Sequence, residues 1–521
     1  MHKELKKLIE ENPNNVLFLC GAGISLDAPT SLPTVNRFIC DILKESGIPD
    51  TTVDKVYEQF GKTNYRFESL VDEIRKMCDV DLLLTKLFDS ASFNKIHHFL
   101  SLMLKNGASI VTTNFDNCIE NACIFENLDL SNRLVYNGTD LTEGEKSLSS
   151  VLIKIHGSQP LEKEKAEELV VTIKALAKTE KAFKAFPNWR EYLLNLISNK
   201  TVVVMGYSCS DDFDVVPLLT ESNPKEIIWL NFDSSNSLPV FTDNVANIKI
   251  YELSKAVPIL YFNSLLVPFL IEWSKQFSFC LCEGEKKHQF TVEEYVSQLY
   301  KTQIDKYILC NEIFLSYGLY DEVIVVEGSP QLYLQKIKSE YRLGNYEYAV
   351  ELGKEALESD VPAKVLLETL YYLSSALYYE GDYEEAIEIA KKCVVIGWRI
   401  KDMDFYLNSM INLASIQYVY ASTFPDKNKQ EKMLDSVQKK YCIVQKRAEG
   451  VNIEAKATAL WGLGDLERYR GNVHKALLFL QDALETLKKI GNAYAIIQLE
   501  KTIQEVQNEC IGMYCLDYAE K

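Results

Sequence analysis

Six short apolar runs punctuate the first half of the chain: 16–20, 109–113, 151–155, 201–205, 227–230 and 248–251. Each is nearly continuous and rich in β-branched residues, as in strands covered on both faces of a parallel sheet. Helical spacing fills the gaps between them. This alternation predicts a doubly wound, Rossmann-like α/β domain over residues 1–285. The segment from about Asp50 to Asp89 does not fit a simple crossover and predicts a helical insertion, with Phe67 to Ile74 as an amphipathic stretch. Beyond residue 285 the strand signals fade. Residues 286–332 read as a helical connector and 333–515 as an all-α region.

Internal similarity marks that last region. Tyr341-Arg342-Leu343-Gly344-Asn345-Tyr346 resembles Tyr379-Glu380-Gly381-Asp382-Tyr383, and both resemble Tyr469-Arg470-Gly471-Asn472-Val473. In each, an Ala and an aliphatic residue follow a few positions on. A glycine allows a tight turn between two helices and an alanine lets them approach closely. Gly344 and Gly381 stand 37 residues apart. The pattern resembles tetratricopeptide repeats, whose period is about 34 residues. Such stacks form a concave surface suited to peptides or protein segments. One unit, between Phe405 and Ala448, lacks the glycine and carries a polar insertion at Phe424-Pro425-Asp426-Lys427.

The stretch Ala256 to Ile271 is the most apolar, but it contains Pro258, Asn263, Ser264 and Pro268. It is also shorter than the ~20 residues a spanning helix needs, so it reads as a buried core segment. The N-terminal Met1-His2-Lys3-Glu4-Leu5-Lys6-Lys7 lacks the apolar stretch of a signal peptide.

Of 521 residues, 47% are hydrophobic and 25% charged, which excludes a disordered or collagen-like chain. With 56 Lys and Arg against 74 Asp and Glu, the formal charge is −18. No basic run offsets it, so nucleic acid is not an expected partner. The 13 cysteines are odd in number and form no C-x-x-C pair. That usage predicts buried thiols in a reducing, cytoplasmic compartment, with neither a disulfide framework nor a zinc site.

The candidate chemistry lies at the ends of the predicted strands. The first runs into Gly21-Ala22-Gly23-Ile24-Ser25-Leu26-Asp27-Ala28. Glycines there let a phosphate approach the backbone at a helix N-terminus. Leu26 stands where a dehydrogenase fingerprint wants a small residue. The later ends read Thr112-Thr113-Asn114-Phe115-Asp116, His156-Gly157-Ser158, Gly206-Tyr207-Ser208 and Asn231. Strand ends of this kind converge on one crevice in an open α/β sheet. His156 is the histidine of that crevice. His97 and His98 read as packing or surface residues, and Asp211 and Asp212 as helix caps.

Gly-Ala-Gly-Ile-Ser, Thr-Asn-Phe-Asp, His-Gly and Gly-Tyr-Ser, in this order, resemble the sirtuin family over about residues 1–280. The resemblance implies a sirtuin-type doubly wound parallel sheet that binds NAD. It implies catalytic roles for Asn114 and for His156 as general base. It implies NAD contacts from Gly21, Ala22, Gly23, Ser25, Ala28, Thr113, Asp116, Gly206, Tyr207, Ser208 and Asn231, and no metal. Two departures matter. The two C-x-x-C pairs of sirtuin deacylases are missing, and the Ile-Pro-Asp-Phe-Arg segment appears as Leu32-Pro33-Thr34-Val35-Asn36, with Arg37 one place on. The variants resemble sirtuin-like NAD hydrolases of bacterial anti-phage defence. The expectation is an NAD glycohydrolase that releases nicotinamide and ADP-ribose. Its activity would be gated by self-association, probed as a homo-oligomer, and by a protein or peptide trigger on the repeats, with no membrane partner. The alternatives are an NAD-dependent deacylase, an ADP-ribosyltransferase using the same pocket, or a non-catalytic NAD or ADP-ribose scaffold.

Overall fold

The computed structural model describes residues 2–60, 70–71, 74–75, 79, 83–89, 92–131, 134–136, 150–155, 187–209, 215–236, 238–243, 245, 247–286, 289–300, 302–358, 361–490 and 493–519. Most of the amphipathic stretch expected in the insertion, and residues 61–69 of the insertion with it, fall outside them. The chain divides into two compact units, residues 1–301 and 302–521.

In the first unit the strands are β1 (Val16–Cys20), β2 (Ser109–Thr112), β3 (Leu134–Tyr136), β4 (Leu152–Lys154), β5 (Thr201–Met205), β6 (Glu226–Phe232), β7 (Val240–Phe241) and β8 (Ile259–Ser264). They form one sheet in the order β3-β4-β2-β1-β5-β6-β8-β7, parallel except for the antiparallel edge pair β7–β8. The helices are α1 (Lys3–Glu10), α2 (Val35–Glu45), α3 (Asp50–Gln59), α4 (Lys86–Asp89), α5 (Lys95–Lys105), α6 (Cys118–Phe125), α7 (Pro187–Ile197), α8 (Val215–Glu221), α9 (Ile248–Ala256), α10 (Leu266–Ser274) and α11 (Val292–Leu299).

Successive strand residues point to opposite faces, so a run such as Val16–Cys20 must be apolar throughout to sit between two helical layers. Val16, Phe18 and Cys20 join a core with Phe99 of α5 and Trp273 of α10. Leu17 and Leu19 join the opposite core with Leu193 of α7 and Leu253 of α9. The expected doubly wound α/β architecture is therefore present.

One expected strand is a helix. Ile248 to Tyr251 opens α9, because the Asn247 side chain accepts from the Lys249 and Ile250 N–H groups and caps that end. The strand lies further on, in the segment read as core: Ile259–Ser264 is β8, and α10 follows it. Among the described residues no helix is long and apolar enough to cross a membrane.

The second unit is helical. After α12 (Gln303–Ser316) come α13 (Pro330–Leu343), α14 (Tyr346–Ala356), α15 (Ala363–Glu380), α16 (Tyr383–Arg399), α17 (Met403–Ser422), α18 (Lys427–Arg447), α19 (Ile453–Tyr469), α20 (Val473–Ile490) and α21 (Ala493–Ala519). Consecutive helices pack as pairs, and each pair packs on the next. The repeated glycines close the first helix of three pairs. Gly344, Gly381 and Gly471 take φ of +83, +88 and +79°. The following N–H donates back to Glu340, Leu377 and Glu467 carbonyls respectively, a Schellman closure. The pair without the glycine uses Asp426 instead, which accepts from the Asn428 and Lys429 N–H groups to start α18.

Candidate functional site

The chain passes from β1 to β2 on one side and later places β5 on the other, so the strand order reverses at β1. That reversal opens a crevice at the carboxyl ends of β1, β2 and β5. The Gly21–Ser25 segment leaves β1 as a short 3-10 turn, Ala22–Ser25. It locks against the end of β5: Gly23 N–H donates to the Gly206 carbonyl at 2.8 Å and Gly21 N–H to the Met205 carbonyl at 3.2 Å. A Cβ on Gly23 would lie 2.6 Å from Gly206 Cα, and one on Gly206 (φ +66°) would lie 2.4 Å from Ile24 N. Backbone-to-backbone packing thus requires glycine at both positions, independently of any phosphate.

The turn delivers Ser25 into a buried polar cluster. Its hydroxyl donates to Asp116 Oδ2 at 2.9 Å. Asn114 Nδ2 donates to Ser25 Oγ and to Asp116 Oδ2, both at 3.2 Å. Asp116 Oδ1 accepts from the Cys118 N–H at 3.1 Å. Facing the acceptor-only carboxylate fixes the Asn114 amide: its nitrogen is turned inward. Asn114 Oδ1 is buried and has no hydrogen-bond partner among the described residues. A buried unsatisfied acceptor costs roughly 1–3 kcal/mol and calls for a donor from outside the cluster.

Two residues of this cluster went unrecognised in the sequence. His97, buried at the third position of α5, sets its Nε2 3.2 Å from Ser25 Oγ. Lys154, buried on β4, forms an ion pair with Glu120 at 2.8 Å and donates to the Asp116 and Phe115 carbonyls. It straps down the loop that carries Asn114. The signals were a lysine inside an otherwise apolar strand, and Asn94 three places before His97 as a helix cap.

Burial disfavours charge on Asp116, but the neighbouring His97 and Lys154, the Cys118 N–H and the Ser25 hydroxyl outweigh it, so its carboxyl is held below the usual range. Burial pushes His97 down to about 4, so the imidazole is neutral at pH 7. Burial and Asp116 push the Cys118 thiol up. The ligating atoms of His97, Asp116 and Cys118 lie within 4.8 Å of one another. Their chemistry fits a proton-ordered network better than a cation: the Cys118 thiol is protonated and His97 turns an N–H, not a lone pair, toward Ser25.

The other expected residues are placed as follows. Thr113 N–H donates to the Cys20 carbonyl at 3.1 Å. Ala22 is exposed at the turn. Ala28 borders a cavity of about 280 Å³ together with Asn94, Lys95, Pro268 and Glu283. Tyr207 is buried against Trp229, ring centroids 6.0 Å apart. Ser208 is exposed and its carbonyl accepts from Asn247 Nδ2 at 2.8 Å. Asn231 stands at the end of β6 and donates to Asn263 Oδ1 at 3.0 Å. His156, Gly157, Ser158, Asp211 and Asp212 lie outside the described residues.

Residues 108–225 match the sequence profile described as a SIR2-like domain. That segment runs from the start of β2 past the end of α8 and includes the Asn114 cluster. The chain thus carries a SIR2-like domain followed by a helical repeat region. One solved structure that it matches is a Signal Transduction ATPase with Numerous Domains protein with a tetratricopeptide repeat sensor from Pyrococcus horikoshii. The two share 15% identity, with 98% of this chain and 80% of that chain covered and a TM-score of 0.33. No curated protein matches the chain.

Proposed function

We propose that the protein is an NAD glycohydrolase, cleaving NAD to nicotinamide and ADP-ribose. The observation that carries this reading is the inward-turned Asn114 amide, which leaves one buried acceptor, Oδ1, at the carboxyl edge of the sheet. The bond between nicotinamide and ribose breaks with the electron pair leaving on nicotinamide. Because the ring is cationic in NAD, it departs neutral and needs little acid help. The demand is to hold the ribose as it becomes cationic and to orient water toward it. Asn114 Oδ1 can accept from that water or from a ribose hydroxyl, and a fixed acceptor avoids reorganisation at the moment of reaction. His156, two residues beyond β4 in sequence, takes the proton of the attacking water; that role rests on the family resemblance. General-base help is typically worth about 10²–10⁴-fold. The glycines of the Gly21–Ser25 turn and Gly206, with Ser208 and Asn231 along the same edge, are the proposed pyrophosphate and adenosine contacts.

The same reading makes the protein a gated defence effector that depletes NAD when the helical repeats bind a protein or peptide trigger, with assembly as the gate. The test is nicotinamide release from NAD by the purified chain, compared with Asn114→Ala and His156→Ala. Release by the parent and loss in both variants supports hydrolysis. Release only in the presence of an acylated peptide would instead support deacylation. Tight NAD binding without release, with or without phage infection of expressing cells, would leave the scaffold reading.

A further inference from the structure

We propose that His97 is a positioning residue of this site: through Ser25 it holds the Asn114 amide, whose nitrogen Asp116 turns inward, in the place from which Oδ1 meets substrate. The proposal rests on the functional reading above for its kinetic consequence, but its structural content is independent of it.

The neighbours of the imidazole decide which of its nitrogens carries the proton. Asn94 N–H, which caps α5, donates to His97 Nδ1 at 3.2 Å. Nδ1 must therefore carry a lone pair. Thr30 Oγ1 lies 3.5 Å from the same nitrogen, but its hydrogen goes to the Ser92 carbonyl at 2.6 Å. Burial keeps the ring neutral, so its single proton is on Nε2. That N–H is directed at Ser25 Oγ, 3.2 Å away.

Ser25 then has no choice. Its oxygen accepts from His97 and from Asn114 Nδ2, so its own hydrogen goes to Asp116 Oδ2. A hydroxyl with both acceptor directions filled by donors cannot turn round to donate to Asn114. The Asn114 nitrogen is held against Ser25 and Asp116, and Oδ1 is left over. The proton order thus runs from the cap of α5 to the amide at the end of β2. The same Asn94 side chain donates to the Ile24 and Asp27 carbonyls, at 2.9 and 3.2 Å, so α5 also grips the turn that carries Ser25. His98, the next residue, faces elsewhere: its Nε2 contacts Glu126 at 2.9 Å and its Nδ1 accepts from the Cys282 N–H at 3.0 Å.

Replacing His97 with Leu removes the donor and leaves Ser25 free to rotate. Replacing it with Gln keeps a donor of similar reach. The experiment is a crystal structure of the full-length His97→Leu chain beside the parent, with steady-state nicotinamide release for both. The expected structure shows Ser25 Oγ moved off Asp116 Oδ2 and Asn114 Nδ2 beyond hydrogen-bond distance of Ser25. The expected kinetics are a kcat lower by about tenfold or more with KM changed less than about threefold, and recovery of most of kcat in His97→Gln. An Asn114 amide that keeps its contact with Ser25, or a loss confined to KM, overturns the proposal. Should His97→Leu fail to fold, Ser25→Ala and the double variant Ser25→Ala/His97→Asn, whose shorter amide does not reach Ser25, decide it. If His97 acts through Ser25, the two agree in kcat within about twofold; a further loss in the double variant overturns the proposal. A parent chain that releases no nicotinamide defeats the functional reading alone, and the Asn114 contact with Ser25 in the two crystal structures still decides the role of His97.

Discussion

Each unit buries a cluster of amides and charges, and the two clusters differ in one atom. In the helical unit, Asn311 lies fully buried on α12. Its Nδ2 donates to the Ile324 carbonyl and to Gln335 Oε1, and its Oδ1 accepts from the Ile324 N–H. Gln335 in turn donates to the Ile308 carbonyl and to Glu312. Nothing is left over. In the α/β unit, Asn114 has the same chemistry, yet its oxygen lacks a partner among the described residues. A satisfied buried network specifies packing; an unsatisfied acceptor can take a further donor, and at the strand ends that donor is the proposed substrate. The same residue type therefore reads as structure in one region and as a site in the other.

The comparison breaks first at Lys154. If that lysine is the strap beneath the site, Lys154→Met leaves the Glu120 carboxylate buried without its cation. Loss of one partner of a buried pair costs about 3–5 kcal/mol. Urea unfolding of the first transition should move by that amount; a shift under about 1 kcal/mol would show that the pair carries no structural weight.

Acid should distinguish the two clusters next. The folded value of His97 lies near 4, below its ordinary 6.5. In that window the unfolded chain binds a proton that the folded chain does not. The stability it confers is complete above about pH 6.5 and is lost as the pH falls toward 4, by about 3 kcal/mol in all. Asp116 and Lys154 are the charged groups that face it. Asp116 acts in the same sense at lower pH, since its depressed carboxyl must be protonated in acid. The Asn311 cluster contains no histidine, so denaturation followed between pH 7 and 4 should weaken the α/β unit and His97→Gln should flatten the slope.

The smallest effect belongs to the satisfied cluster. Asn311→Ala leaves the Ile324 backbone groups and Gln335 short of a partner, at a cost of about 1–3 kcal/mol. Basal nicotinamide release per folded molecule should stay within about twofold, because the change touches packing alone. A loss comparable with that of Asn114→Ala would dissolve the distinction drawn between the two regions.

Much of this was legible in the sequence because the physics is local. A strand covered on both faces must be apolar along its buried length, and Val16–Cys20 and Val202–Met205 obey that rule. A turn that packs against backbone needs glycine, which marks Gly21, Gly23 and Gly206. The repeat glycines are visible for the same reason, through their positive φ. What was hidden is non-local. Ile248 to Tyr251 has strand composition, and only the capping role of Asn247 turns it into a helix. In Ile259–Ser264 the polar Asn263 and Ser264 obscure a strand whose Tyr261 and Phe262 are buried. His97 and Ser25 are 72 residues apart in sequence and meet only once the sheet has formed. Lys154 finds its partners on the Phe115–Asp116 loop and on α6 after it, 34 residues or more earlier in the chain.

In the proposed function, Asn114 Oδ1 serves cleavage of NAD. The most direct measurement is nicotinamide release by the parent chain and by Asn114→Ala, with melting temperatures for both. The account predicts release by the parent and a drop of at least about 100-fold in kcat for the variant, with a melting temperature lowered only as far as the loss of the two Nδ2 hydrogen bonds to Ser25 and Asp116 requires, the variant staying folded at the assay temperature. Equal release by the two proteins would contradict it.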